Sequence, residues 1–153
     1  MITNTLSTIK ATRKHLLKLI EGLSTEQLNE VPAGFNNNII WNVAHLISAE
    51  QGICYTRANI PFIVDDKFYT PYRPDTKPTR FIESAEVDEI KELLITTIDQ
   101  LEANYQNKIF ANYPLWTSRY GVPITGIEDA INFLPFHDGM HIGYVMALKR
   151  AIG

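Results

Sequence analysis

Cysteine is almost missing from this 153-residue chain, where Cys54 stands alone. One thiol can neither close an internal disulfide nor build a thiolate cluster, so a metal here would be held by nitrogen and oxygen. An excess of either charge is also missing. The 14 Lys+Arg against 17 Asp+Glu leave a net charge of −3 and a pI near 5.8, which excludes a nucleic-acid binder working by bulk charge. No window approaches about 18 consecutive apolar residues, so no membrane span is expected. Near the N-terminus Lys10, Arg13, Lys14 and Lys18 interrupt every apolar stretch. A secretory h-region is therefore not seen, and the expected location is cytoplasmic. Internal repeats and low-complexity tracts are lacking too.

What is present is a chain that is 45% hydrophobic. A chain of this length buries roughly 68–70% of its unfolded surface, so residues 1–153 are expected to form one domain that folds without staples. Ile2, Leu6, Ile9, Leu16, Ile20 and Leu23 recur at helical steps and predict a first helix from Ile2 to Gly22. Ser24-Thr25-Glu26-Gln27 has the form of a capping box and opens a short helical turn that Pro32 ends. Phe35-Asn36-Asn37-Asn38 supplies N-cap candidates for a second long helix, Ile39 to about Arg57.

Between Ala58 and Glu83, Pro61, Pro71, Pro74 and Pro78 stop both helix and central strand. Phe62, Phe68, Tyr69, Tyr72 and Phe81 are too many aromatics for a disordered linker, which points to an ordered crossover along a bundle. Ser84 is the expected cap of a third helix reaching about Asn107, acidic on its solvated face. A second irregular stretch, Lys108 to Ile124, precedes the capping-box pattern Thr125-Gly126-Ile127-Glu128. The helix it opens runs almost to Gly153, with a kink expected near Ile131–Pro135. Four long amphipathic helices with a long crossover between the second and third predict an all-α four-helix bundle.

The chemistry is carried by histidine. His137 and His141 form His-x-x-x-His, which on a helix places both imidazoles on one face within reach of one cation. Both fall on the line Ile127, Ala130, Ile131, Leu134, Tyr144, Leu148 that is otherwise inward and apolar. Two buried imidazoles side by side are costly unless something binds both. His45 interrupts the apolar side of the second helix beside Trp41 and Ser48 and offers a third ligand; by itself it reads more readily as a hydrogen-bonded structural histidine. His15 reads as surface or partly buried, and Cys54 as a small buried hydrophobe.

A chain of this length and helical pattern, with Trp-Asn-Val-Ala-His-Leu in the second helix and Phe-His-Asp-Gly-Met-His-Ile-Gly in the last, resembles the DinB/YfiT-like superfamily. The resemblance covers essentially the whole chain. It implies a four-helix bundle with a long crossover between helices two and three, and a divalent metal held by three histidines. The matching positions are His45, His137 and His141. Some relatives implied by the resemblance are S-transferases that use low-molecular-weight thiols; others are suggested to be hydrolases. A homodimer is implied as well.

Three imidazoles leave a coordination position open. The expected cofactor is one divalent metal per chain, zinc or nickel first and iron or manganese after them. The ion would bind a thiol as thiolate or lower the pKa of water, and the partner is a small-molecule substrate. Asp138 is the candidate catalytic carboxylate, because it sits where glutamate sits in His-Glu-x-x-His; a surface-pairing or capping role is the competing reading. Trp41 and Tyr144 are candidate cofactor-binding residues. Ser48, Tyr55, Tyr69, Tyr72, Trp116 and Tyr120 are candidate pocket walls, and Gly52 and Gly143 could leave backbone room for a ligand. Arg57, Arg73, Arg80 and Arg119 could bind the carboxylate of a thiol cofactor. Three functions follow: a metal-dependent thiol S-transferase, a metal-dependent hydrolase, or a non-catalytic metal-binding bundle.

Overall fold

Helix α1 (Ile2–Ile20) buries Leu6, Ile9, Arg13, Leu16 and Ile20, one face of a 3.6-residue repeat in which a single position is charged. A full capping box between Ser24 and Gln27 starts α2 (Thr25–Asn29), as its sequence requires. Helix α3 (Ile39–Glu50) begins where the Asn38 side chain accepts the Trp41 N–H at 2.9 Å. The chain then widens into a π-helical segment, Gln51–Thr56, so the second helix does reach Arg57 but not as regular α-helix. These observations come from a computed structural model that describes residues 2–152; Met1 and Gly153, the ends of the expected domain, lie outside the described residues.

The crossover is ordered and holds a helix of its own, α4 (Asp66–Tyr72), capped by Asp65. Phe62 stacks on Tyr69 with ring centroids 4.2 Å apart, the aromatic packing that its composition implies. Helix α5 (Ser84–Gln106) begins at its expected cap residue rather than after it: Glu83 is the N-cap, and it makes no side-chain cap hydrogen bond. The second irregular stretch contains a small antiparallel hairpin, β1 (Trp116–Thr117) and β2 (Pro123–Ile124), closed through a turn in which Gly121 adopts φ +77°.

Helix α6 (Ile127–Ala151) continues through Pro135. Its capping box does not form. Gly126 is the N-cap and has no side chain to offer, and the Thr125 hydroxyl and N–H both bond Asp129, one residue beyond the glutamate of the expected pattern.

Around the bundle, α1 and α3 each pack against both α5 and α6. Every residue of α3 is buried, because α2 and α4 cover the side that the long helices leave open. The apolar interior is split into two blocks. One contains Leu16, Ile20, Ile47, Leu94, Val145 and Leu148; the other contains Ile9, Cys54, Ile98, Ile131 and Leu134. Between them, at the level of Arg13, Glu50, Thr97 and Asp138, the interior is polar. Among the described residues no helix is long and apolar enough to cross a membrane.

Candidate metal centre

Helix α3 brings His45 to the polar level from one side, and α6 brings His137 and His141 from the other. The three offer ring nitrogens that all lie within 4.8 Å of one another. Ring centroids are 5.2 Å apart for His45 and His137, 4.5 Å for His45 and His141, and 4.7 Å for His137 and His141. His45 is 5% exposed, while the α6 pair is half-buried. Trp41 stacks flat on His45 at 4.7 Å and fixes the plane of its ring.

Hydrogen bonds decide which nitrogen of two rings is free. His45 Nδ1 lies 2.6 Å from the carbonyl of Tyr72, and a carbonyl can only accept, so Nδ1 carries the proton and Nε2 the lone pair. His141 Nδ1 lies 2.8 Å from Asn42 Oδ1. The Asn42 amide group donates to Asn38 O at 2.7 Å and to Asn37 Oδ1 at 3.2 Å, which turns its oxygen toward the histidine. His141 is thereby held in the same tautomer, with Nε2 free. A second hydrogen bond of this kind orients a metal-ligating histidine and raises its basicity. His137 differs: its Nδ1 is buried with no partner.

All three rings are held neutral. Burial depresses the pKa of His45, and that of His141 to about 4, where the His45 ring also contributes. His137 falls to about 3 through burial, reinforced by His141, His45 and Arg13. At neutral pH the trio therefore presents lone pairs rather than N–H⁺ groups, the state a cation requires. Three neutral imidazoles, two of them aimed by hydrogen bonds, and an orphaned buried nitrogen on the third are a donor set that fits one divalent cation.

Asp138 is not beside the open side of this trio. It is 1% exposed and accepts from Arg13 Nε at 2.8 Å. Arg13, itself fully buried, also donates to Glu50 at 2.8 Å and to the carbonyls of Leu94 and Leu46. Glu50 further accepts from Thr97 and from Gln51, whose own carbonyl oxygen receives the Ile63 N–H. Being one step past His137 turns Asp138 about 100° off the ligand face, as helix geometry demands. The burial there is what its sequence reading as a surface pair or cap lacked. In the sequence Arg13 stands out only as a charge that interrupts an apolar stretch, and Glu50 not at all. The signal was present for Arg13, which sits on the stripe Ile9, Leu16, Ile20.

The trio lines a cleft of about 1030 Å³. Trp41, Tyr69, Trp116, Tyr120 and Tyr144 line it with them, as do Arg57 and Arg119. Ser48, Tyr55 and Tyr72 do not: Ser48 bonds the Tyr69 carbonyl, the Tyr55 hydroxyl accepts from Asn104, and the Tyr72 hydroxyl donates to Glu86. Their rings and hydroxyls belong to the packed interior that the crossover seals. Arg73 is not at the cleft, and Arg80 is engaged by Glu86 at 2.6 Å. Gly52 lines the cleft, where an added Cβ would meet the Tyr69 hydroxyl at 3.2 Å, whereas Gly143 is exposed elsewhere. His15 is exposed and Cys54 fully buried.

The family model of the DinB superfamily matches residues 8–145, most of the chain and the whole of the histidine-bearing region. No curated protein matches. The chain belongs to the DinB superfamily.

Proposed function

We propose that this DinB-superfamily chain is, as a single domain, a divalent-metal-dependent enzyme of thiol S-transferase type, with His45, His137 and His141 as the ligands. The observation that carries this reading is the convergence of three neutral imidazoles from two helices on the wall of an open cleft, with no acid or thiol among them. A cation bound there would keep an open coordination position and make a bound thiol acidic enough to react as thiolate.

The chain's own groups do the rest. The Tyr72 carbonyl and Asn42 orient two ligands before anything binds. The aromatic walls, Trp41, Tyr69, Trp116, Tyr120 and Tyr144, would pack against a small electrophile. The reacting thiol has to come from outside, because Cys54 is fully buried and burial pushes its thiol well above the usual range.

A hydrolase that uses a carboxylate as general base would need one near the open position, and Asp138 is committed to Arg13. The carboxylate that lines the cleft is Asp75, an exposed residue. This favours the transferase over the hydrolase. The same reading includes a cytoplasmic homodimer, for which Phe136 and Met146 on α6, 50% and 44% exposed, are candidate contact residues.

Metal analysis of the purified protein, followed by visible spectroscopy of the cobalt form with and without 2-mercaptoethanol, tests it. About one metal per chain, none in His137→Ala/His141→Ala, and a sulfur-to-cobalt charge-transfer band with thiol but not with ethylene glycol are expected. Failure to load metal, or a cobalt spectrum that thiol leaves unchanged, overturns it.

A further inference from the structure

The cleft carries a second recognition feature besides the histidines. Arg57 leaves the π-helical segment with its guanidinium over the face of Trp116, 4.3 Å from the ring centroid. The platform is braced. Trp116 Nε1–H donates to the Tyr113 hydroxyl at 2.9 Å, and that hydroxyl donates to the Ile53 carbonyl at 2.5 Å, four residues before Arg57 in the same π-helical segment. A guanidinium stacked by its face keeps its N–H groups directed outward in the plane, the fork that matches an oxyanion. Among the described residues no carboxylate pairs with Arg57. Arg119 lines the same cleft and is held only loosely, 3.7 Å from the exposed Asp75. Its charge reaches the histidines, contributing to the depressed pKa of His45 and His137.

We propose that Arg57, held over Trp116, is an oxyanion subsite at the cleft, with Arg119 a further cation of the same cleft, and that the ligand carries a carboxylate or phosphate on the part that lies at Arg57. The charge inventory points the same way. Two guanidiniums face one exposed carboxylate, Asp75, and a dication held by neutral ligands would keep its full charge. Arg57, Trp116 and the histidine trio line one cleft of about 1030 Å³, the size of a small-molecule site. This subsite deepens the transferase reading by naming the charge class of its thiol or electrophile, yet Arg57 and Trp116 stand independently of any metal.

Two measurements separate the subsite from the metal reading. In metal-free protein, isothermal titration with succinate and with inorganic phosphate should show saturable binding that weakens at least tenfold in Arg57→Gln and is partly kept in Arg57→Lys. The tighter of the two anions assigns the oxyanion, and quenching of Trp116 fluorescence should accompany binding. In the cobalt-loaded protein, 3-mercaptopropionate should bind at least tenfold more tightly than 2-mercaptoethanol, and Arg57→Gln should erase that difference while leaving the metal content unchanged. No saturable anion binding to the wild type, or equal binding by the wild type and Arg57→Gln, overturns the subsite even if metal and thiol bind as expected. Anion binding without metal loading would keep the subsite and remove the transferase.

Discussion

Two polar clusters lie at the same level of the bundle, and they are built on opposite terms. Arg13, Glu50 and Asp138 satisfy one another: the guanidinium reaches two carboxylates and two carbonyls, and Glu50 gains Thr97 and Gln51. In this cluster Asp138 Oδ1 is left over. His45, His137 and His141 satisfy one another in nothing. The Nδ1 atoms of His45 and His141 are tied down, that of His137 is orphaned, and the three rings offer nitrogens within 4.8 Å of one another on the wall of the cleft. A buried polar cluster whose charges pair with one another, as Arg13 pairs with Glu50 and Asp138, is scaffold; one that converges without internal partners is built for a guest. The first explains how the second keeps its shape, since Arg13 ties α1 to α6 one residue from His137 and to α3.

The comparison breaks most completely at the histidines. His137→Ala/His141→Ala should abolish metal loading while changing the metal-free stability by less than about 1 kcal/mol, measured by urea denaturation; a large stability loss without metal would make the trio scaffold too. Arg13→Met should do the reverse, costing about 3–5 kcal/mol because it leaves two carboxylates buried without a counter-charge. Adding Glu50→Gln and Asp138→Asn to Arg13→Met should recover much of that loss in the same denaturation experiment. If Arg13→Met alone is neutral, the cluster is not the brace described here.

Acid should also separate the two clusters. His137 and His141 have folded pKa values of about 3 and 4, below the ordinary 6.5, so the folded state resists protons that the unfolded chain accepts. Their favourable contribution is full above pH 6.5 and is lost as pH falls from 6.5 toward 4 and then 3. Metal-free protein should accordingly destabilise below pH 6.5 with a slope approaching two protons, and His137→Ala/His141→Ala should flatten it. The smallest effect belongs to Asn42→Ala, which removes the acceptor that orients His141. Metal affinity should fall by about 10–100-fold with little change in fold; an unchanged affinity in a competition titration against a chelator would show that the tautomer is set by something else.

Much of this was legible in sequence because it is periodic. The faces of α1, α5 and α6, the capping box at Ser24 and the shared face of His137 and His141 all follow from spacing, whereas α3, expected to be amphipathic, is buried on every side. Capping was the weak point. The Ser84 and Thr125 patterns resemble N-caps, yet the chain enters both helices at a neighbouring residue, since entry depends on how the preceding segment packs. The aromatics divided for the same reason: Trp116 and Tyr120 face the cleft, whereas Tyr55 and Tyr72 fill the core, and composition cannot tell one from the other.

By itself the sequence determined a helical bundle, three histidines able to meet, and a chain with a single thiol and no excess charge to offer a metal or nucleic acid. Only the tertiary structure decided what each polar group does. The Tyr72 carbonyl that orients His45 is 27 residues away in sequence, the Asn42 that orients His141 is 99 away, and the Arg13 that claims Asp138 is 125 away. Helical periodicity tells which way a side chain points, but a buried donor or acceptor takes its role from the partner that packing brings to it.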